Sequence, residues 1–313
     1  MQNTVKQIQN EVGKVIVGKG EVISKVLMAI LSQGHVLLDD VPGVGKTTLT
    51  LAFAKTLGLE TKRVQFTSDT VPSDIIGFSM YDKRADEFKY KPGAVMTNML
   101  LADEINRTSS KTQSALLEAM EEGSVSVDGT THVLPKPFVV LATQNPIGSA
   151  GTQLLPSSQL DRFILRINIG YPDFGSQIEI MKDRNKENPL DRVVAVLSKE
   201  QLLETIDMVK DVFISDVVYD YIARLVHETR EHPMVQLGVS PRGSLAVCKM
   251  AKACAFVSGR NFVIPEDVAS VLPDVCGHRL VLNAKAKFSD LNEYDILREL
   301  INAVDMPVLK EVV

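Results

Sequence analysis

Tryptophan is absent and aromatic residues make up only 5% of the chain. Hydrophobic residues still reach 45% and charged ones 23%, so core material for a globular protein is ample. Cysteine is scarce as well. Cys248, Cys254 and Cys276 all fall in the last quarter, no two have CxxC spacing, and the odd count suits reduced core thiols. There is no basic excess: the net charge is −5, where a general nucleic-acid binder carries a basic footprint. Long apolar runs are missing. The segment MQNTVKQIQNEVGK has no apolar core of signal-peptide length, and Val26 to Leu31 is far too short to span a bilayer. The expectation is a soluble, cytoplasmic protein. HETREH, His227 to His232, looks like the HExxH zinc motif, but that motif needs its second histidine where Glu231 stands. A five-residue separation puts His227 and His232 well apart around a helix. The chain shows no internal repeat and no low-complexity segment.

What is present is HVLLDDVPGVGKTTLTLAFAK, His35 to Lys55. A short apolar run leads into a glycine-rich turn ending in Gly45-Lys46-Thr47, and a helical pattern follows. Strand, glycine loop and helix in that order form the context of a phosphate-binding loop. Such a loop aims successive backbone N–H groups at phosphates, and the helix N-terminus adds partial positive charge. Lys46 supplies a point charge for β- and γ-phosphates, and the Thr47 hydroxyl can hold Mg²⁺. Gly43 and Gly45 allow turns and close approaches that a Cβ would obstruct. The strict pattern asks for glycine at position 40, where this chain has Asp40. The bland alternative is a GKT tripeptide that ends a strand by chance.

Five apolar runs read as strands: Val36–Asp39, Arg63–Phe66, Asn98–Asp103, Phe138–Thr143 and Phe163–Ile169. Helical patterns or insertions separate them, which implies an α/β fold with a parallel sheet covered on both faces. Helices read at Thr4–Val15, Glu21–Leu31, Thr47–Leu57 and Ser110–Glu122, the last capped by Ser109 or Ser110 and closed by Gly123. Two insertions read as β-hairpins, one over 76–95 and one over 124–134 about the turn Asp128-Gly129. After Tyr171-Pro172 the patterns are helical, with Pro241 and Pro265 each opening a helix. The division expected is an α/β unit over 1–172 and a helical unit over 173–313.

The third strand ends in Asp103-Glu104. In a nucleotide enzyme Asp103 can hold Mg²⁺ and Glu104 can polarise the attacking water. The fourth strand ends at Asn145, a neutral amide able to orient that water, with an ordinary Asn-Pro turn as the alternative. Arg162, in LPSSQLDRF, precedes the fifth strand and could stabilise charge on a γ-phosphate; the alternative is a surface arginine paired with Asp161. Arg242, in SPRG, stands in the first turn of a helix, where a cation opposes the macrodipole and an anionic partner would explain it.

The P-loop, LLADEINR, ATQNP, LPSSQLDRF and GVSPRG occur in the order of the AAA+ ATPases, and the chain resembles the MoxR family over nearly its whole length. The hairpins match the helix-2 insert and the insert before sensor 1 of this branch, which includes the magnesium-chelatase ATPase subunit. The resemblance implies a P-loop AAA+ core with a five-stranded parallel sheet and a C-terminal all-α lid. It implies nucleotide contacts from Val17, Gly18, Pro42, Gly43, Val44, Gly45, Lys46, Thr47 and Thr48, and Mg²⁺ held by Thr47 and Asp103. It further implies Glu104 as base, Asn145 as sensor 1, Arg162 as arginine finger and Arg242 as sensor 2, with Arg107 a second candidate for an arginine that reaches across an interface. The cofactors implied are ATP and Mg²⁺. The partners implied are a homo-oligomeric ring, usually a hexamer, and a protein client or von Willebrand factor A domain protein on another polypeptide.

The function expected is ATP hydrolysis coupled to chaperone-like remodelling of a protein partner. A magnesium-chelatase-like motor, a nucleic-acid motor, a small-molecule P-loop kinase and a nucleotide-gated binding module are the rivals. A kinase would not require Asn145, Arg162 and Arg242 together. A nucleic-acid motor should carry hairpins dominated by Lys and Arg, whereas KRADEFKYK mixes signs and the second hairpin is nearly uncharged. If the P-loop assignment holds, Lys46→Ala loses nucleotide affinity in a fluorescent-nucleotide titration. Unchanged ATP binding contradicts it.

Overall fold

The computed structural model describes residues 2–41, 43–144, 155–185 and 188–308. In chain order, α1 (Gln2–Gly13) and α2 (Gly20–Leu31) precede β1 (Val36–Asp39), and α3 (Lys46–Thr56) follows the glycine loop. Next come β2 (Thr61–Gln65), α4 (Pro72–Ile76), the hairpin β3 (Gly77–Asp82) and β4 (Glu87–Pro92), then β5 (Met99–Asp103) and α5 (Ser110–Glu122). The second hairpin is β6 (Ser124–Val127) with β7 (Thr130–Val133), followed by β8 (Val139–Gln144), α6 (Ser157–Leu160) and β9 (Leu165–Ile167).

The strands β2-β5-β8-β1-β9 form one sheet in that order, and every neighbouring pair is parallel. Period-two alternation fixes which side chain enters which layer. Val36, Leu38, Met99, Leu101, Val139 and Leu141 join one apolar core, while Leu37, Leu100, Ala102, Val140 and Ala142 join the other. Strands buried on both faces are apolar along most of their length, which is why β1, β5 and β8 read as hydrophobic runs before their polar ends at Asp39, Asp103 and Thr143-Gln144.

The remaining elements are mostly helical: α7 (Phe174–Arg184), α8 (Lys199–Lys210), α9 (Asp216–Glu231), β10 (Val235–Leu237), α10 (Pro241–Val257), α11 (Pro265–Cys276), β11 (Val281–Leu282), α12 (Ala284–Phe288) and α13 (Glu293–Ala303). The helical pattern hid a two-stranded antiparallel ribbon, β10 with β11, and an isolated parallel bridge between Phe213 and Phe262. The core on the α1–α3 side of the sheet continues into these helices through Ile206, Leu225, Val247 and Leu272. Helix α2 lies between α10, α8 and α1. That position explains why Val26 to Leu31 is buried without a break. No helix among the described residues is long and apolar enough to cross a membrane.

Local capping follows the sequence. Ser109 caps α5 by accepting from the Thr112 amide at 3.3 Å, and Gly123 closes it in the left-handed region. Ser240 caps α10 by accepting from the Gly243 amide. Helix α9 ends at Glu231, leaving His232 beyond it, and no group of three metal-binding side chains occurs among the described residues.

The bounds of β5 and β8 lie within one residue of expectation, and two strands differ by more. The polar Thr61 and Lys62 belong to β2, because an edge strand can turn those side chains to solvent. The last strand is shorter than its apolar run. The Phe163 carbonyl accepts from Arg279 at 2.7 Å, and the Ile169 amide donates to Asp40, so both leave the ladder.

His35 sits where β1 begins, 8% exposed, and ties three elements. Its Nδ1 accepts from the Val140 amide at 3.0 Å, so Nε2–H donates to the Met120 carbonyl at 3.0 Å. Burial pushes its pKa down to about 4. A histidine held neutral in the fold but free to ionise when unfolded contributes stability above its unfolded value, and that contribution is lost as pH falls towards 4. The loss amounts to about 3 kcal/mol. Urea midpoints should therefore fall between pH 6.5 and 4, and less steeply in His35→Gln, which keeps a donor and an acceptor but cannot titrate. Equal slopes in both proteins would contradict this account.

Candidate functional site

The glycine loop turns β1 into α3. Gly43 and Gly45 have φ of +87° and +98°, a region that side chains with a Cβ rarely enter. Helix α3 starts at Lys46 with no acidic residue in its first turn, so the positive end of its dipole faces no competing carboxylate there. Lys46 is buried and donates from Nζ to the Asp40 carbonyl at 2.8 Å.

Asp40, the departure from the strict motif, has a structural task. Its carboxylate accepts from the Gly170 amide at 3.0 Å and from the Ile169 amide, joining the entrance of the loop to the exit of β9. A glycine there would leave both amides without that acceptor.

A cleft of about 650 Å³ opens over the loop. It is lined by Gly43 to Thr48, by Val15 to Val17, by Asp103 and Glu104, and by Gly170 to Pro172 and Gln177. Gly18 packs so closely on Ser176 that a Cβ would come within 2.2 Å of its hydroxyl, and Lys19 Nζ donates to the Tyr171 carbonyl at 2.7 Å. The α1–α2 turn is thus fastened to the residues that enter α7.

At the end of β5 the two carboxylates differ. Asp103 Oδ1 accepts from the Thr143 hydroxyl at 2.6 Å, and Oδ2 accepts from Arg63 Nη2 at 2.8 Å. Glu104 adopts a left-handed backbone, φ +58°, with its amide donating to Thr143 Oγ1 at 2.8 Å. That conformation is costly outside glycine and marks a constrained position. Arg107 Nη1 donates to Glu104 Oε2 at 2.7 Å, so Arg107 pairs within its own chain.

Arg162 and Arg242 are not in this cleft. They line a second one of about 250 Å³, together with Glu121, Asp161, Lys249 and Arg279. Arg162 does not pair with Asp161. Asp161 instead accepts from Arg279 Nε at 2.7 Å and from the Ser240 hydroxyl at 3.0 Å. Arg279 is 5% exposed and also donates to the Phe163 carbonyl, so it binds the segment after α6 to the end of α11. Burial pulls its pKa down from the ordinary guanidinium value. Pro42 and Asn145 lie outside the described residues. Sequence reasoning missed Arg63, Thr143, Glu121 and Arg279. Only Thr143 left a local signal, a hydroxyl near the end of an apolar strand.

A phosphate loop on a five-stranded parallel sheet, with a strand-end acid pair across the cleft, defines an AAA+-type nucleotide site. Comparisons with known proteins agree. The family model described as the ATPase family associated with various cellular activities (AAA) matches residues 35–165, and that of the AAA lid domain matches residues 227–300. YeaC of Bacillus subtilis, of uncharacterised activity, is 47% identical over 96% of this chain and 94% of its own length. Chaperone MoxR1 of Mycobacterium tuberculosis is 40% identical over 99% of this chain and 84% of its own length. The crystal structure of a candidate ATPase from Cytophaga hutchinsonii superposes with a TM-score of 0.92 at 38% identity, covering 98% of this chain and 96% of that one. The chain belongs to the MoxR family of AAA+ ATPases.

Asp40→Ala removes the acceptor of two amides beside the P-loop. Stability should fall by about 1–3 kcal/mol, and nucleotide affinity should fall with it, read by urea titration and by nucleotide titration. Wild-type values in both would show that the Asp40 bridge does not shape the loop.

Proposed function

We propose that this protein hydrolyses ATP in the P-loop cleft as a subunit of a ring, and uses the energy to remodel a protein partner. The observation that carries the reading is the separation of cations. Lys46 lies at the P-loop, while Arg162 and Arg242 stand together in another cleft. A site completed by an adjoining subunit needs that division.

In this reading Val17 and Gly18 flank the base, Gly43 to Thr48 wrap the phosphates, and Lys46 exchanges the Asp40 carbonyl for β- and γ-oxygens. Thr47 and Asp103 fit Mg²⁺, whose oxygen-ligand preference a hydroxyl and one carboxylate satisfy when phosphates and water complete the shell. Bound there, the ion would neutralise charge on the β- and γ-phosphates. Glu104 accepts a proton from the attacking water, with Asn145 orienting that water. Arg162 and Arg242 meet the γ-phosphate of the adjoining subunit, an effect worth about 10³–10⁵ in rate, or roughly 4–7 kcal/mol of barrier.

The relative named Chaperone MoxR1 supports a chaperone-like role. In this reading the client, or a von Willebrand factor A domain protein, is a separate chain, and the ring is a cytoplasmic hexamer. The first hairpin suits client contact, since Phe78, Met80, Tyr81 and Phe88 are all exposed on it.

Mixing defective subunits tests the interface. Arg162→Ala and Glu104→Gln should each be nearly inactive alone, and their mixture should regain part of the turnover, since some interfaces then combine an intact base with an intact arginine. No recovery from mixed, assembled rings would mean that Arg162 acts within its own chain or not at all.

A further inference from the structure

Arg162 and Arg242 carry like charges and come from different parts of the molecule, one after α6 and the other at the start of α10. Without an anion between them they would repel. Glu121, in the last turn of α5, is that anion. Arg242 Nη1 donates to its Oε1 at 3.0 Å, and Arg162 Nε stands 3.2 Å from its Oε2. Among the described residues no other carboxylate forms a salt bridge with either arginine. Asp161 is already engaged by Arg279 and Ser240.

Glu121 is itself held in place. The carbonyl of Met120, the preceding residue, accepts from buried His35, so the end of α5 is fastened to β1 and β8. Two oxygens of one carboxylate resemble, in spacing and charge, two oxygens of one phosphoryl group. A guanidinium also has five N–H donors, more than one carboxylate oxygen can take, so contact with Glu121 leaves donor capacity for phosphate.

We propose that Glu121 is a positioning residue, which holds Arg162 and Arg242 at a phosphoryl group's spacing so that both engage the γ-phosphate of an adjoining subunit together. This rests on the reading that those arginines act across an interface.

The test uses the full chain, assembled with ATP and Mg²⁺. Glu121→Ala should lower kcat about tenfold through misplaced guanidinium groups, with KM for ATP and the affinity for a fluorescent ADP analogue within about twofold of wild type. On an Arg162→Ala, Arg242→Ala background, where single-turnover measurement with excess enzyme reads the residual rate, the same substitution should change that rate by less than about twofold, because nothing remains to be gathered. A purely structural role would slow both backgrounds alike. Glu121→Gln, which keeps the shape and loses the charge, replaces Glu121→Ala if the alanine variant unfolds. Wild-type kcat in the Glu121 variant, or equal losses on both backgrounds, would overturn the proposal. Wild-type turnover in the two-arginine variant would instead overturn the interface reading, and the role of Glu121 with it.

Discussion

The grip of Asp40 on the exit of β9 is the interaction on which the rest of the cleft depends. A glycine loop has little stiffness of its own, because residues without a Cβ lose the most conformational freedom on folding. Here its entrance is tied to the Ile169 and Gly170 amides, and its lysine to the Asp40 carbonyl. The segment from Gly170 to Pro172 thereby becomes a wall of the cleft, and Lys19 closes the same wall from the α1–α2 turn. A residue that weakens the match to the strict P-loop pattern proves to be what fastens the loop.

A second constraint fixes the arginine cleft. Arg279 is a buried charge, and removing such a charge from water is tolerable only with good partners. It has them: Asp161, the Phe163 carbonyl and the Val275 carbonyl. These contacts lock the Asp161–Phe163 segment to α11, while Ser240 joins the start of α10 to Asp161. Arg162 and Arg242 are therefore carried by one connected polar network, although the first lies beside the sheet and the second on a helix beyond it. The P-loop cleft and the arginine cleft are separate, and Arg162 and Arg242 belong to the second.

Much of this is legible in the amino-acid sequence. The apolar runs of β1, β5 and β8, as strands covered on both faces require, are written in local residue order, and so are a serine cap at the start of α5 and its Gly123 stop. The glycine loop was legible because backbone chemistry requires glycine at left-handed positions. The edge strand β2 was harder, because Thr61 and Lys62 face solvent and break the apolar signal. The ends of β9 leave no local signal, because Arg279 and Asp40, both distant in sequence, draw Phe163 and Ile169 out of the ladder.

The sequence alone determined the α/β order, the phosphate loop, the strand-end acids and the helical texture after Pro172, because each rests on backbone preference or on side-chain periodicity over a few residues. Only the tertiary structure decided that Asp40 braces β9, that Arg63 and Thr143 share Asp103, and that Glu121 gathers two arginines. Those contacts join residues far apart along the chain. Their geometry is set by how the sheet and helices pack, and no local spacing encodes it.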